Sequence, residues 1–545
     1  MRSIRTLKWL NLMVAIALAA FVAGCGDDGN GTEDVCDPNP CTAAHQSICA
    51  PDGADGYLCL CDQGYAEVNG ECVLYTQDNC DPNPCTEANR GLCVDDGDSY
   101  LCLCNEGYHD VDGTCVPYGQ GYECEGDVCI LTGSIVQDLT LTADKDWLLR
   151  GGVFIGDDVN ETVLTVEAGT TVYGETSTNG MLVVTRGSKI MAEGTAAAPI
   201  VFTSSKAPGT RARGDWGGVI INGKSTTNNC SEDPKNPGQC EAFGEGGTGW
   251  YGGTDEADDS GVLKYVRIEF AGRIISPDNE LNGLALQAVG SGTTLEYIQV
   301  HMNKDDGVEF FGGTANFKYI LTTGIADDNL DWTDGWRGKG QFFVCQQYED
   351  AGDQGIEADN NGEDNTATPR SHPTISNITL IGSPDSEKSD IGMLLREGTA
   401  ANIHNAVVVG FNDAGLDVDH RETHENAHDG SNLTGELTVE NSIVSCASPF
   451  KNDDDSVKDD NDQVIWADTF TEEEFYNLNT GNSTDDPLLG DPFNLTAPDY
   501  TPGAGSPALT GAVVPGDSFF DQVTFKGGVD PVNDWTAGWT THEPN

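Results

Sequence analysis

Carboxylates at regular intervals are the residues in this chain most able to do chemistry. Glu309, Asp331 and Glu357 each lie between apolar residues, and they are separated by 22 and 26 positions. Two pairs of acids, also 22 positions apart, precede the first two: Asp305-Asp306 and Asp327-Asp328. Carboxylates held close together can bind a hard divalent cation, or share a proton so that one acts as a general acid beside a base. Either chemistry requires a fold that makes neighbours of residues about two dozen positions apart.

Short strand-like runs recur with the same period and predict such a fold. Leu284-Ala-Leu-Gln, Val308-Glu-Phe-Phe and Leu330-Asp-Trp-Thr start 24 and 22 positions apart. Period-2 alternation within runs that repeat at this interval is typical of a solenoid of stacked strands. The segments Gly214-Asp-Trp-Gly-Gly and Ile375-Ser-Asn-Ile-Thr-Leu resemble secreted bacterial proteins with the right-handed parallel β-helix of the pectate-lyase-like superfold. We therefore predict an all-β fold, a parallel β-helix over residues 136–510.

The stacking register predicts where each side chain of the strands points. Val308, Leu330 and Ile356 form an apolar, inward column, so the residue after each must point outward. The first outward column reads: Glu309, Asp331, Glu357, Leu394 and Asp417. The second outward column reads: Phe311, Thr333, Asp359, Arg396 and Asp419. Two bare carboxylates on adjacent rungs, about 5 Å apart, repel by roughly 3 kcal/mol at an effective dielectric of 20.

Three interpretations of this acidic ladder stay open. Water and salt could screen it as an open surface. Bound Ca²⁺ could neutralise it, with these candidate ligands: Asp305, Asp306, Asp327, Asp328 and Asp359. Catalysis could use the following residues: Glu309, Asp331, Glu357 and Arg396.

In the catalytic interpretation, stacked carboxylates suit a glycosidase, and a metal with Arg396 as base would be similar to a polysaccharide lyase. A neutral glycan is the better substrate because the acidic field repels a polyuronate. Trp332 and Trp336 could stack on sugar rings, although Trp332 is predicted to point inward.

Three of the nine histidines lie four positions apart, at His420, His424 and His428. If this segment is helical, the three imidazoles share one face and could bind zinc or another transition metal. Histidines of a solvated turn are the alternative.

The net charge and the first residues predict the location of the protein. A net charge of −62 excludes nucleic acid as a partner, since phosphates would be repelled. Arg2, Arg5 and Lys8 precede an apolar run that ends in Val22-Ala-Gly-Cys25, which resembles a bacterial lipobox. The resemblance implies a signal peptide at 1–24 and a lipidated Cys25 that anchors the chain to the cell envelope through the tether 25–35. Gly26, rather than aspartate, favours the outer membrane.

Two cysteine-rich segments, 36–73 and 80–116, follow the tether and resemble EGF-like modules. The shared motifs are Asp-Pro-Asn-Pro-Cys, Cys-x-Cys and Cys-x-x-Gly-Tyr. The resemblance implies these disulfides: Cys36–Cys49, Cys41–Cys59, Cys61–Cys72, Cys80–Cys93, Cys85–Cys102 and Cys104–Cys115.

The remaining cysteines lie in a connector, 117–135, and in the β-helix. Cys124 with Cys129 and Cys230 with Cys240 are close enough in sequence to pair. Cys345 and Cys446 fall about three coils apart, roughly 14 Å, which exceeds the reach of a disulfide. We therefore predict two buried free thiols. Residues 511–545 are predicted to cap the open end of the solenoid.

These observations favour a binding protein over an enzyme. We expect a lipid-anchored adhesion or binding protein of the cell surface, stabilised by Ca²⁺, with an extracellular glycan or cell-surface protein as partner. The alternatives are a polysaccharide lyase or glycoside hydrolase acting at the ladder, and a purely structural surface protein.

Overall fold

The structure is a computed structural model that describes most of residues 122–545 and shorter segments before them. The described residues are 48–52, 56–60, 65–68, 71–74, 84–86, 90–95, 100–103, 108–111, 114–117, 122–231, Asn236, 238–275, 280–458, 463–468 and 470–545. The chain divides into two compact units, residues 1–104 and 105–545, which we describe separately. The predicted signal peptide, the lipidated Cys25 and the tether lie outside the described residues.

Antiparallel hairpins form the described part of the first unit. Its strands are β1 (Ile48–Asp52), β2 (Gly56–Leu60), β3 (Tyr65–Val68), β4 (Glu71–Leu74), β5 (Leu92–Asp95) and β6 (Tyr100–Leu103). They pair as β1–β2, β3–β4 and β5–β6. Cys85 and Cys102 form a disulfide with their Cα atoms 5.5 Å apart, the pairing implied for the second and fourth cysteines of that module. The other five predicted module disulfides involve side chains outside the described residues.

The second unit is built from strands with two short α-helices. Its strands are β7 (Tyr108–Val111), β8 (Thr114–Pro117), β9 (Tyr122–Glu125), β10 (Val128–Ile135), β11 (Leu139–Leu141), β12 (Asp146–Ile155), β13 (Val163–Val166), β14 (Thr171–Gly174), β15 (Met181–Val184), β16 (Lys189–Glu193), β17 (Ile200–Ser204), β18 (Val219–Asn222), β19 (Ala242–Gly244), β20 (Gly249–Tyr251), β21 (Gly261–Glu269), β22 (Leu284–Gln287), β23 (Thr294–His301), β24 (Val308–Phe311), β25 (Asn316–Thr323), β26 (Leu330–Thr333), β27 (Lys339–Gln346), β28 (Ile356–Ala358), β29 (Thr374–Ile381), β30 (Ile391–Leu395), β31 (Ala401–Val409), β32 (Ala414–Val418), β33 (Leu437–Glu440), β34 (Ile443–Ser445), β35 (Val457–Lys458), β36 (Val464–Trp466), β37 (Leu489–Asp491) and β38 (Asp499–Pro502). The helices are α1 (Arg421–Ala427) and α2 (Glu472–Leu478), and α2 begins with a capping box between Thr471 and Glu474.

These strands wind into a parallel β-helix, which confirms the predicted fold class. Every strand from β9 to β34 except β19 and β20 belongs to one continuous sheet. Each strand pairs with its counterpart one coil later, so β22, β24, β26 and β28 are successive rungs. Parallel strand pairing starts at Val128, before the predicted bound of 136, and ends at Ser445, with isolated parallel bridges to Phe450 and Ser483 before the predicted bound of 510. Strand β9 covers the start by pairing antiparallel to β10.

The interior of the coils is a continuous apolar core. Its largest side chains include Trp216, Phe310, Trp332 and Trp336, each with no exposed surface. Phe310 and Trp336 stack with their ring centroids 4.1 Å apart. The suggestion that Trp332 and Trp336 could meet a sugar ring was therefore wrong, because both side chains are buried in this core.

Four cysteines of the second unit pair as predicted. Cys124–Cys129 and Cys230–Cys240 are disulfides, with Cα atoms 4.0 Å and 4.4 Å apart. Cys345 and Cys446 are free. Cys345 is buried, and burial raises the pKa of its thiol to about 12. Cys446 is only partly buried, so the expectation of two fully buried thiols holds for Cys345 alone.

The C-terminal residues do not cap the solenoid. Residues 511–545, which we call the C-terminal strap, run along its flank instead. Gly527 N donates to Asn405 O on β31 (2.8 Å), and Thr541 N donates to the Gln299 side chain on β23 (2.8 Å). The last coil is covered by α2, whose Phe475 and Tyr476 are buried in the core. The expected cap was wrong because buried amide side chains on the flank take their hydrogen-bond partners from the strap backbone.

One corner of the coil is a column of residues in the left-handed backbone region. Their φ values lie between 49° and 63°, and the residues are Tyr265, Tyr297, Tyr319, Phe342, Asn377, Asn405 and Asn441. Such a conformation costs a side chain other than glycine or asparagine roughly 1–2 kcal/mol. Tyr265, Tyr297 and Tyr319 stack with centroids 4.4 Å apart, and Phe342 continues the stack at 4.9 Å. We call these four residues the aromatic stack.

Among the described residues, no helix combines the length and the apolar character needed to cross a membrane.

Candidate functional site

The acidic ladder has the register that the sequence predicted. Glu309 on β24 pairs with Asp331 on β26, and Asp331 pairs with Glu357 on β28. The column continues through Leu394 to Asp417. In earlier coils the same column is apolar, with Val183, Ile220 and Ala285 in a small buried cluster. The sequence thus changes from apolar to acidic along one line of the solenoid surface.

The ladder is covered rather than open to solvent. Glu309 is 7% exposed and Asp331 is 8% exposed. Asn282, in the turn that leads into β22, donates a hydrogen bond to the Glu309 carboxylate. Nearby, the Tyr251 hydroxyl bonds the Asp334 carboxylate at 3.2 Å. The interpretation as an open, screened surface is therefore wrong for this part of the ladder.

The acids in the turns before the strands link successive coils. Asp306 Oδ1 accepts from Asp328 N (3.0 Å), and Asp328 Oδ1 accepts from Gln354 N (2.7 Å). Each carboxylate thus satisfies a backbone donor one coil further on. Sequence spacing placed these acids correctly but gave no sign of this structural role, since the coil-to-coil bond depends on the turn backbone.

Arg396 neutralises one half of the ladder. Its guanidinium lies 2.9 Å from Glu357 and 3.0 Å from Asp359. Burial raises the pKa of Glu357 and of Asp359 to about 7 even so, because Arg396 only partly offsets it. Arg396 itself is held protonated: the hydrogen bond to Asp359 and the charge of Glu357 outweigh its burial and raise its pKa.

The other half of the ladder has no such counter-charge. Ligand atoms of Asp306, Glu309 and Asp331 lie within 4.8 Å of one another, and all three residues are buried. Among the described residues, no lysine or arginine forms an ion pair with any of the three. We call them the buried acid triad. Burial first, and then the charges of neighbouring acids, raise all three pKa values well above their ordinary range.

Two buried oxygens near the triad lack a hydrogen-bond partner. One is Asp331 Oδ1, and the other is the side-chain oxygen of Asn282, whose amide nitrogen bonds Glu309. A buried polar atom without a partner is costly and needs an explanation. A hard cation would satisfy these oxygens and the triad charge together, since Ca²⁺ takes six to eight oxygen ligands including carboxylates and amide carbonyls.

Further acids surround the triad. Asp305, Asp306 and Asp327 form one group of converging ligand atoms, and Asp327, Asp328 and Asp353 form another. Burial and the charge of Asp327 raise the pKa of Asp305 to about 8 and that of Asp353 to about 7. Asp353 was not predicted from the sequence, although it lies three residues before Ile356, as Asp327 lies before Leu330 and Asp305 before Val308. Of the predicted calcium ligands, Asp359 lies apart from these groups and is paired with Arg396.

Comparison with protein families identifies the fold. Residues 133–540 match the family described as a pectate-lyase like beta helix domain. The chain belongs to this family. No curated protein and no solved structure matched the chain.

The predicted histidine face does not form in this pectate-lyase-like β-helix. His420 and His428 flank α1, and only His424 is fully buried, on its inner side. The His424 ring lies between two carboxylates: Nδ1 is 3.0 Å from Asp468 and Nε2 is 3.1 Å from Asp455. Ligand atoms of His424, Asp455 and Glu472 converge, whereas those of the three histidines do not.

The His424 imidazole is a buried counter-ion for acids of the following segment. Burial disfavours its charged form, but the hydrogen bond to Asp455 and the charge of Asp468 outweigh burial and raise its pKa. A protonated ring can also donate from Nε2 to Val418 O, 2.8 Å away. This arrangement suits an ion pair better than a metal site.

Proposed function

We propose that this chain is a lipid-anchored binding protein of the cell envelope, whose β-helix is stabilised by Ca²⁺ at the acidic ladder and binds an extracellular glycan. The observation that carries the cation is the buried acid triad. Asp306, Glu309 and Asp331 converge to within 4.8 Å with no basic partner among the described residues. Three buried carboxylates without a counter-charge are unstable when ionised.

Calcium suits the donors better than a transition metal. The triad, the surrounding aspartates and the Asn282 carbonyl are all oxygen ligands. Oxygen donors select Ca²⁺ and Mg²⁺, whereas zinc and copper prefer nitrogen and sulfur. Several carboxylates and one amide carbonyl fit the six to eight oxygen ligands of Ca²⁺, whose coordination geometry is flexible. Mg²⁺ requires octahedral geometry and usually keeps several waters.

Binding is favoured over catalysis by the state of Arg396. A lyase base must lose a proton, but Arg396 pairs with both Glu357 and Asp359 and its pKa is raised. Glu309 and Asp331 are also buried, which limits the approach of a polymer chain.

The location follows from the sequence. The lipobox-like Val22-Ala-Gly-Cys25 supports a lipid anchor, and the cysteine-rich segments support an oxidising compartment. The two EGF-like segments would act as a disulfide-stapled spacer between the anchor and the β-helix.

A glycan array tests the proposal when it is probed with and without Ca²⁺ and followed by product analysis. We expect retention of a neutral glycan, weakened by a chelator, without new reducing ends or unsaturated sugars. Absence of retention on every glycan in both conditions would refute glycan binding.

A glycoside hydrolase is the second candidate. Glu357 and Asp359 both pair with Arg396 and have pKa values raised to about 7, so at neutral pH one can hold a proton while the other is ionised, the arrangement that acid–base catalysis uses. Release of reducing ends that is lost in Glu357→Gln would replace the binding proposal by this one.

A further inference from the structure

A cavity on the flank of the solenoid is formed where the C-terminal strap crosses the aromatic stack. It has a volume of about 280 Å³. Its walls are Tyr297, Tyr319 and Phe342 from the stack and, from the strap, Asp521, Val523, Phe525, Asp530, Asn533 and Trp535. This volume lies near the lower end of the range for small-molecule sites, which fits a ligand of one or two rings.

The strap side of the cavity is held rigidly. Asp521 N donates to Gln341 Oε1 (2.8 Å), and Gln341 Nε2 donates back to Asp521 O (2.9 Å). Asn377 Nδ2 donates to Phe525 O (2.8 Å), and the Trp535 indole donates to Gly528 O (2.7 Å). A preformed wall lowers the entropy lost when a ligand binds.

The stacked rings determine which part of each ring meets a ligand. Tyr297 and Tyr319 lie 4.4 Å apart with a 9° angle between their planes, and Phe342 covers the other face of Tyr319. Their faces are therefore covered by one another, and their edges and hydroxyls border the cavity. Trp535 stands across these edges, at 65° to Tyr319 and 74° to Tyr297.

The lining excludes an anionic ligand, because no lining residue is basic and the neighbouring Lys318 is paired with Asp521 at 2.8 Å. It also offers no aromatic cage for an organic cation, because the ring faces within the stack are covered. The carboxylates of Asp521 and Asp530 accept hydrogen bonds, so a neutral ligand that carries hydroxyl donors fits the cavity.

We propose that this cavity binds a neutral sugar ring. Asp521 and Asp530 accept hydrogen bonds from sugar hydroxyls, the Asn533 amide donates and accepts, and Trp535 covers the apolar C–H face of the ring. This proposal rests on the glycan-binding function and assigns it to the strap cavity rather than to the acidic ladder.

The test measures the affinity of the mature chain, in the presence of Ca²⁺, for neutral monosaccharides and their β-linked disaccharides by calorimetry and saturation-transfer NMR. We expect one neutral sugar to bind and choline and galacturonate to fail. Trp535→Ala should weaken that sugar about tenfold or more, and Asn533→Ala should weaken it severalfold. Trp250→Ala is the matched control, because Trp250 is also partly exposed but lies on β20 against Phe243.

If Trp535→Ala does not fold, Asn533→Ala still tests the cavity, because the Asn533 side chain is exposed at the surface and its loss should not disturb folding. Sugar binding unchanged in both variants would reject the cavity and leave the glycan-binding function standing. Sugar binding lost in Asp331→Asn but retained in both cavity variants would move the site to the ladder. Failure of every neutral sugar to bind would reject both proposals, and binding of choline or galacturonate would reject the assigned ligand class.

Discussion

Arg396 divides the acidic ladder into two chemically different halves. Glu357 and Asp359 share its positive charge, while Asp306, Glu309 and Asp331 converge without one. Neighbouring carboxylates of one column therefore differ in whether a positive charge neutralises them, although they share one stacking register. The unneutralised half is where a cation has most effect on stability.

Replacement of Asp331 by Asn should separate the charge repulsion within the triad, which destabilises the fold, from the binding of a cation, which stabilises it. Without a cation, Asp331→Asn removes one of three repelling charges, so the variant should be more stable than the wild type. With Ca²⁺, the wild type should gain thermal stability and the variant should gain little, because a ligand is lost. Melting curves in chelator and in millimolar Ca²⁺ measure both effects. Asp419→Asn is the control, since Asp419 is a more exposed acid of the second outward column.

The stability difference between Asp331→Asn and the wild type in chelator should depend on pH, because folding raises the pKa values of the buried acids. A carboxyl whose pKa is raised on folding, as for Asp331 and its neighbours, binds more protons folded than unfolded. The contribution of such a carboxyl to the free energy of unfolding is therefore fully present below the unfolded pKa of about 4 and falls as pH rises. The advantage of Asp331→Asn in chelator should therefore grow from pH 4.5 to pH 8. An advantage that is constant over this range would contradict the assigned burial.

His424 should stabilise the fold as a cation. His424→Gln leaves Asp455 and Asp468 without their positive partner, so we expect a loss of about 3 kcal/mol, the scale for breaking a buried pair. Because the folded pKa of His424 is raised, its contribution is full below pH 6.5 and is lost as pH rises through the folded value. Chemical denaturation at pH 5.5 and pH 9 should show a larger loss at pH 5.5. An equal loss at both pH values would mean that the ring is neutral in the folded protein.

At the level of elements, the left-handed corner of successive coils is a repeated solution to one backbone problem. All seven corner residues have positive φ, and the chain uses tyrosine and phenylalanine in earlier coils and asparagine in later ones. Asparagine tolerates this conformation because its side chain hydrogen-bonds locally. The aromatic residues do not, so their mutual stacking must offset the strain, at about 0.5–1.5 kcal/mol for each pair.

Tyr297 tests that balance. Tyr297→Asn keeps a residue that accepts positive φ but removes a ring stacked on both sides, by Tyr265 and Tyr319. We expect a loss of about 2–3 kcal/mol in the free energy of unfolding. Tyr297→Phe retains the stack and should stay close to the wild type. Equal stabilities of Tyr297→Asn and wild type in urea denaturation would show that the stack contributes nothing.

At the level of the whole molecule, the chain combines a rigid β-helix with N-terminal segments whose sequence indicates attachment. Successive coils share a core from Cys129 to Tyr476, and the C-terminal strap binds several coils along one flank. Binding sites on such a solenoid keep fixed positions relative to one another. A membrane anchor at the N-terminus would hold them at the cell envelope.

Cys25→Ser tests the anchor. A lipidated cysteine holds a protein to the membrane through its acyl chains, so the variant should move from the membrane fraction to the soluble fraction after cell lysis. A replacement outside the lipobox-like segment, such as Ser3→Ala, should leave the protein in the membrane fraction. A wild-type chain that is already soluble would contradict lipid anchoring.

The spacing of apolar and acidic residues along the sequence determined the fold and the ladder, because a β-helix brings residues 22 to 26 positions apart into contact on adjacent rungs. The pairs Glu309–Asp331 and Asp331–Glu357 follow from the alternation of apolar and acidic residues alone. The free state of Cys345 and Cys446 followed from the same register.

Features set by loops and by the ends of the chain were decided only by tertiary structure. The hairpin β19–β20, whose Tyr251 bonds Asp334 beside the ladder, lies outside the repeat. The course of the strap depends on contacts more than 100 residues apart in sequence, such as Asn405 with Val513. A periodic pattern specifies only the elements that share its period, so the burial of the ladder and the flank cavity had to come from the folded molecule.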